Sequence, residues 1–435
     1  MLGLFKKHLP LPVKQALRPI KQKTVDSWQK KWLFQHMRKK HQEILKGLKG
    51  KEQIRVVFLA IHKSVWKVDP VFKKMLADPY FEPLILVCPY TSFSDERMRE
   101  EMEDAYNYFF EKGYPVQKSL KSDGSWVKLE EVNPDIVFFT NPHNLTLPEY
   151  YDKAYKNYLS CYVPYHHEIG SYGDNIAQYD QVFHNAMWLI FSSNESSYDM
   201  FKKKSTNKAK NVILTGYPAM ESILEKLDTQ EYLDKWKSND NRVRIIWAPH
   251  HTIDSPELPY SNFIKYAMNF KEMAVLYQNQ VTWSFKPHPI LKTKLYNHPE
   301  WGKEKTDEYY LFWKNKSYTQ LDEGEYSDLF CSSTAMIHDS GSFLAEYLYL
   351  KKPVLYMLTQ ENNDQYFSPF GIKALKSCRH AREFNQIVDF IDDLVNKSAE
   401  INSYHGKFLE NETLPYFINS KPSDRIINCI FTSLT

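Results

Sequence analysis

From residue 54 onward, short apolar runs alternate with longer helical patterns, and that alternation decides the fold class. The first series of runs is Ile54–Ala60, Pro83–Val87, Asp135–Phe139, Cys161–Pro164, Trp188–Phe191 and Val212–Leu214, with helical patterns such as Asp95–Phe110 and Ser196–Lys204 between them. Runs this short and this continuously apolar read as strands buried on both faces. Strands that alternate with helices form a parallel sheet covered on both sides. A second series follows at Val243–Trp247, Val281–Phe285, Ala335–Ile337 and Val354–Tyr356, with helices over Asn262–Leu276, Ser342–Leu350 and Glu383–Val395. Gly216-Tyr217-Pro218 and the polar stretch Lys235–Arg242 separate the two series. The expectation is α/β: two doubly wound, Rossmann-like domains facing each other across a cleft, over residues 51–217 and 218–395. Residues 1–50 form a separate arm. Residues 396–435 form a helical segment packing back on the body, since Ile426, Ile427 and Ile430 recur at helical spacing. No internal repeat is visible.

A composition of 43% hydrophobic and 25% charged residues over 435 positions supplies sizeable cores and excludes a disordered or coiled-coil chain. No apolar run approaches the roughly 20 residues of a membrane span. Lys6 and Lys7 are followed by Pro10, Pro12, Lys14 and Arg18, which interrupt any signal-peptide core. Cys88, Cys161, Cys331, Cys378 and Cys429 are far apart and odd in number, so the reading is a reducing, cytoplasmic compartment. Charge is uneven. Residues 1–50 carry thirteen Lys/Arg against two acids, a net +11 that leaves −8 for the rest. Trp28, Trp32, Leu33 and Phe34 are interleaved with those cations. A basic, aromatic-bearing helix fits an anionic membrane surface, where each lysine contributes about 1 kcal/mol. The alternative is a solvated helix docked on the body by its aromatic face. The acidic body argues against nucleic acid as a partner.

Ligands of doubly wound sheets sit outside the carboxyl ends of the strands, and the chemistry-bearing residues lie there. Lys286-Pro287-His288-Pro289 follows the run Val281–Phe285. A cation and an imidazole two residues apart suit a phosphate-bearing ligand; the alternative is a helix-capping histidine beside a solvated lysine. Asp339-Ser340-Gly341-Ser342 follows Ala335–His338 and opens a helix that carries Glu346. Free amides at a helix start favour an anion, Glu346 suits a ribose, and the alternative is an ordinary N-cap. Pro249-His250-His251-Thr252 is a third strand end, suited to phosphate or acceptor contacts or to a purely structural loop. In the first half, Tyr162-Val-Pro-Tyr165 leads into His166-His167-Glu168, where either histidine is a candidate general base. His-His-Glu lacks the H-E-x-x-H spacing of a helical zinc site, and no Asp cluster for Mg²⁺ stands out. The expectation is a site without metal or resident cofactor. His62, His143 and His184 read as structural or cleft-lining.

These elements, in this order over residues 54–395, resemble the CDP-glycerol glycerophosphotransferase family of teichoic acid and capsule polymerases. That family has the two-domain GT-B architecture. Its K-x-H-P stretch is matched by Lys286-Pro287-His288-Pro289, and its D-Y-S-S turn by Asp339-Ser340-Gly341-Ser342 with Gly341 in place of Ser. Its G-Y-P-R-N-D stretch resembles Gly216-Tyr217-Pro218-Ala219-Met220-Glu221, and its W-H-G turn falls at Tyr165-His166-His167 without the glycine. Its P-T-W-R turn falls at Pro249-His250-His251-Thr252, where the Arg is absent and histidines stand in its place.

The resemblance implies a CDP-linked alcohol as donor, most simply CDP-glycerol, and a membrane-linked polymer precursor as acceptor. His166 or His167 would be the base, and His288 with Lys286 would stabilise the transferred phosphoryl group. Ser340, Gly341 and Ser342 would hold the pyrophosphate and Glu346 the ribose. The implied location is the inner face of the cell membrane, held peripherally. Three other readings are open. One is a GT-B glycosyltransferase using a nucleotide sugar. Another is a relative of the UDP-N-acetylglucosamine 2-epimerases, whose D-S-G-G turn has Ser342 here in place of its second Gly. The third is a scaffold that has lost turnover.

Overall fold

The computed structural model describes residues 11–173, 175–359 and 363–435, with side chains described from residue 26 onward. Lys6 and Lys7 of the basic arm lie outside the described residues. Two all-parallel sheets organise the chain. The first holds β1 (Ile54–Ala60), β2 (Phe81–Val87), β3 (Val116–Lys118), β4 (Ile136–Phe139), β5 (Leu159–Tyr162), β6 (Leu189–Ser192) and β7 (Val212–Leu214), in the order β3-β2-β1-β4-β5-β6-β7. The second holds β8 (Val243–Ala248), β9 (Val281–Phe285), β10 (Thr319–Leu321), β11 (Ala335–His338), β12 (Val354–Met357) and β13 (Arg379–Ala381), in the order β10-β9-β8-β11-β12-β13. The two orders are the same doubly wound 3-2-1-4-5-6 pattern, extended by a seventh strand in the first sheet. Each sheet therefore has a switch point, between β1 and β4 and between β8 and β11, where the chain reverses its direction of travel across the sheet and opens a crevice.

Alternation along the central strands explains why both faces are covered. In β1, Val56, Phe58 and Ala60 enter one core, while Val57 and Leu59 enter the core on the opposite face. In β8, Ile246 and Ala248 point one way, and Ile245 and Trp247 the other. Trp247 is fully buried and stacks on Phe270 with ring centroids 4.1 Å apart. Burying one such side chain is worth about 1.5–3 kcal/mol, so a strand apolar on both faces holds its place with few polar contacts. The strands unmarked in the sequence, β3, β10 and β13, are three residues each and lie at sheet edges, where one flank has no partner to bury.

The chain crosses back at its end. Helix Pro422–Leu434 places Ile426, Ile430 and Leu434 in the core of the first sheet, not the second. Its start is held by Glu221, whose carboxylate accepts from the Ser423 N–H at 2.6 Å and from the Ser423 hydroxyl at 2.7 Å. Gly216, before the return, has φ +92°, and a Cβ there would meet the Tyr416 Cβ at 2.5 Å. Both the backbone angle and the close approach require glycine.

Helix Leu11–Leu48 docks along the first domain through Leu33, Met37, Ile44, Leu45 and Leu48. Lys30 donates to the Asp180 carboxylate at 3.0 Å. Trp28 and Trp32 are not part of that contact and are 68% and 56% exposed. The docked face is thus aliphatic, and the tryptophans look outward. Among the described residues, no helix is long and apolar enough to cross a membrane.

Candidate active site

The second switch point is built by a buried carboxylate. β8 and β11 pair with Ala248 opposite His338, so the loops starting at Pro249 and Asp339 leave the sheet side by side. Asp339 has no solvent exposure. It accepts from the His250 N–H at 2.6 Å, from the Asn262 N–H at 2.5 Å and from the Asn262 side chain at 3.4 Å. Burial raises its pKa to about 7, against the pull of those donors. Asp339 ties the β8 loop, the β11 loop and the start of helix Phe263–Leu276 together. Its lone pairs are spent inside the protein, which makes it a positioning residue. The next residues open a helix: Ser340, itself buried, caps helix Gly341–Glu346 without spending its hydroxyl on the cap, and Gly341 and Ser342 are partly exposed. A Cβ on Gly341 would meet only the Tyr260 ring, at 3.7 Å.

Three histidines meet beside this turn. Ring centroids are 4.4 Å apart for His250 and His251, 4.1 Å for His251 and His288, and 5.3 Å for His250 and His288. One ligand atom of each lies within 4.8 Å of the others, the compass of a metal-ligand set. The N–H of His288 donates to the Pro249 carbonyl at 3.2 Å, which fastens the two loops. Thr252 Oγ1 and His250 Nδ1 share a hydrogen bond of 2.9 Å. Burial is the main cause that lowers all three basicities, His251 to about 4 and the other two well below the ordinary value. The histidines that stand where the family has an Arg are therefore neutral at physiological pH and do not replace its charge by themselves.

Lys286, expected beside His288 as a phosphate cation, is turned elsewhere. Its ammonium donates to the Gly324 carbonyl at 2.8 Å and lies 5.8 Å from the Tyr326 ring. Burial lowers its pKa to about 8. The Tyr326 hydroxyl donates to Glu346 and accepts from Lys67 of the first domain at 2.5 Å. Glu346 is fully buried, burial raises its pKa, and its second carboxylate oxygen has no partner. Lys67 and Tyr326 were not singled out in the sequence. Lys67 lies seven residues beyond β1, where position after a strand was a usable signal. Tyr326 follows β10, which the sequence did not mark.

The two candidate histidines of the first domain have different surroundings. Nδ1 of His166 donates to the His167 carbonyl at 2.7 Å, since a carbonyl only accepts. That fixes the tautomer and leaves Nε2 as a free lone pair on a ring that is only partly buried. Desolvation lowers its pKa to about 4. His167 is 1% exposed, with both nitrogens unpartnered and its ring 4.5 Å from Tyr217 and 5.0 Å from Phe370. It packs as an aromatic ring. The loop that carries them is pinned to the second domain. Ser368 N–H donates to the Ile169 carbonyl at 2.7 Å, Ser171 N–H to the Tyr366 carbonyl at 2.8 Å, and the Ser368 hydroxyl to the Glu168 carbonyl at 2.7 Å. A Cβ on Gly371 would meet the Ile169 oxygen at 2.4 Å, so the approach requires glycine. His62 pairs with Glu101 at 3.0 Å, His143 bonds Gln181 at 3.2 Å, and His184 is buried on a helix.

Comparison with known proteins bears on this arrangement. The family model described as CDP-glycerol:poly(glycerophosphate) glycerophosphotransferase matches residues 168–432, which include the whole second domain and its three loops. Sequence comparison with curated proteins returns no match. Among solved structures, the wall teichoic acid polymerase TagF, soaked with CDPG, aligns with a TM-score of 0.56 at 11% identity, covering 94% of this chain and 98% of that one. The UDP-GlcNAc 2-epimerase of Methanocaldococcus jannaschii, in complex with UDP-GlcNAc and UDP, aligns at 0.54 and 14% identity, covering 87% and 100%. That of Neisseria meningitidis, bound to UDP-GlcNAc, aligns at 0.52 and 17% identity with the same coverage. At these identities the structures speak for the fold alone, the GT-B arrangement of two doubly wound domains.

Proposed function

The chain belongs to the CDP-glycerol:poly(glycerophosphate) glycerophosphotransferase family, and from that premise we propose that it moves a phospho-alcohol, most simply glycerol phosphate, from a CDP-linked donor to a hydroxyl of a membrane-linked polymer precursor. The observation that carries the reading is the pairing of a tautomer-fixed, uncharged His166 in the first domain with three loops gathered at the switch point of the second.

The step balances simply. The acceptor oxygen forms a bond to the distal phosphorus of the donor, the bond from that phosphorus to the bridging oxygen breaks, and CMP leaves with the electron pair. The acceptor proton passes to Nε2 of His166. Such transfers depend on positioning and on neutralising charge. Ser340, Gly341 and Ser342 line the place for the diphosphate, and Asp339 with Asn262 holds that turn in register with Pro249–Thr252. Glu346, with one free carboxylate oxygen, is the ribose partner. His288 faces the transferred group from the other loop. The donor enters as a substrate, not as a resident cofactor. The outward tryptophans and the cations of helix Leu11–Leu48 suit an anionic inner membrane surface, where a lipid-linked acceptor would lie.

Thermal unfolding in the presence of CDP-glycerol, CDP-ribitol, CDP, CMP, UDP-sugars and GDP-sugars tests the donor. A ligand at a hundred times its Kd adds about 2.7 kcal/mol to the native state. Stabilisation by cytidine diphosphate ligands alone is expected. Stabilisation by a uridine or guanosine sugar alone would replace this reading with a nucleotide-sugar enzyme on the same fold.

A further inference from the structure

We propose that His250, His251 and His288 form a three-imidazole zinc site with one open coordination position at the switch point of the second sheet. Two adjacent residues after β8 and one after β9 bring one ligand atom each within 4.8 Å of the other two, and the loops are fastened by the bond from His288 N–H to the Pro249 carbonyl. Among the described residues, no carboxylate shares this set. Three imidazoles suit a borderline metal such as Zn²⁺, whereas Mg²⁺ and Ca²⁺ want oxygen ligands. Three protein ligands with a fourth position left open is the pattern of a zinc that binds a substrate or water.

The surrounding bonds fit ligation. Thr252 Oγ1 holds Nδ1 of His250, the kind of outer contact that orients a metal-bound ring and leaves Nε2 as its ligand atom. Nδ1 of His251 is buried with no partner, a cost that a metal bond removes. His288 makes one exchange: its Nδ1 accepts from the Ile290 N–H at 3.2 Å, and Ile290 is exposed, so water takes that donor when the ring turns to the metal. Lys294 and Lys286 are the cations near the cluster and oppose a divalent ion. A phosphate in the open position offsets them. The site also resolves a charge question. His250 and His251 occupy the turn where the resembled family has an Arg and carry no guanidinium, His288 lies on the facing loop, and a bound divalent ion restores a cation there. This last role, with a donor phosphate as fourth ligand, rests on the proposed function, whereas the metal site itself does not.

The test uses the full-length protein stripped with a chelator and titrated with Zn²⁺, and with Co²⁺ as a coloured probe. One ion per chain is expected, with the visible absorption of tetrahedral Co²⁺, no displacement by excess Mg²⁺, and affinity reduced at least about tenfold in both His251→Ala and His288→Asn. His62→Asn, far along the chain and paired with Glu101, keeps full binding. No stoichiometric binding by the folded protein, or binding that survives both triad substitutions, overturns the site. Because His288 is partly exposed, His288→Asn tests ligation even where His251→Ala fails to fold. Cytidine-ligand stabilisation without any zinc binding would overturn this inference and leave the proposed function standing. Zinc binding without cytidine-ligand stabilisation would do the reverse.

Discussion

At the scale of single residues, the adjacent histidines of the first domain show how one hydrogen bond separates two neighbouring rings. His166 spends Nδ1 on a backbone carbonyl and keeps Nε2 free, whereas His167 has no polar partner and stacks among Tyr217 and Phe370. His166→Asn should therefore lower CMP release from CDP-glycerol by about 10²-fold or more while leaving the urea midpoint close to the parent. His167→Asn should do the opposite, lowering the midpoint by placing an amide in an aromatic box. Steady-state kinetics and urea unfolding of the two variants check this, and equal activity losses would remove the assignment. The pH profile carries the same signature. A pKa near 4 keeps His166 unprotonated far below 6.5, so kcat/KM should hold down to about pH 5. An acid limb near 6.5 would mean that another imidazole is the base.

At the scale of elements, helix Leu11–Leu48 presents two different faces. Leu33, Met37 and Leu48 hold it on the first domain, and Trp28 and Trp32 remain outside. Trp28→Ala with Trp32→Ala should leave folding intact and reduce co-sedimentation with anionic vesicles. Full co-sedimentation by the double variant would show that these rings do not anchor the protein. The edge strands teach a related point. β3, β10 and β13 read Val-Gln-Lys, Thr-Gln-Leu and Arg-His-Ala, with no apolar run to mark them, whereas the equally short edge strand β7 reads Val-Ile-Leu and stands out.

At the scale of the whole molecule, buried ionisable groups set the response to acid. His41 is held at about 4, and His167, His184 and His338 at about 3, chiefly by desolvation. Each is neutral in the folded chain and free to take a proton near pH 6.5 in the unfolded one. Their contribution is fully present above pH 6.5 and is lost as pH falls toward the folded values. Glu168 and Asp339, raised to about 7 by burial, act in the opposite sense, since the folded state holds their protons between about pH 4 and 7. The lowered imidazoles, which also include His143, His166, His250, His251, His288 and His405, outnumber the raised carboxylates, which also include Glu221 and Glu346, so the balance is a net loss. The urea midpoint should fall between pH 7.5 and pH 5, and a midpoint that rises over that interval would contradict the balance.

What the sequence alone determined follows from local pattern. Two-sided apolar runs such as Ile54–Ala60 and Val281–Phe285 stand as strands over the same residues in the structure, and chemistry-bearing loops follow β5, β8, β9 and β11. Strand periodicity and burial are local consequences of composition, so they are legible without a fold. Direction and company, by contrast, come from the packed fold. Lys286 turns toward Gly324 and Tyr326, Asp339 is consumed by two backbone amides, and Lys67 reaches across to the second domain. His250, His251 and His288 converge although the last is nearly forty residues away in the chain. Such outcomes depend on strand order and on where a side chain finds its partner. Neither is written at any one position, because both are set by which strands pair across the sheet and how closely the two domains meet.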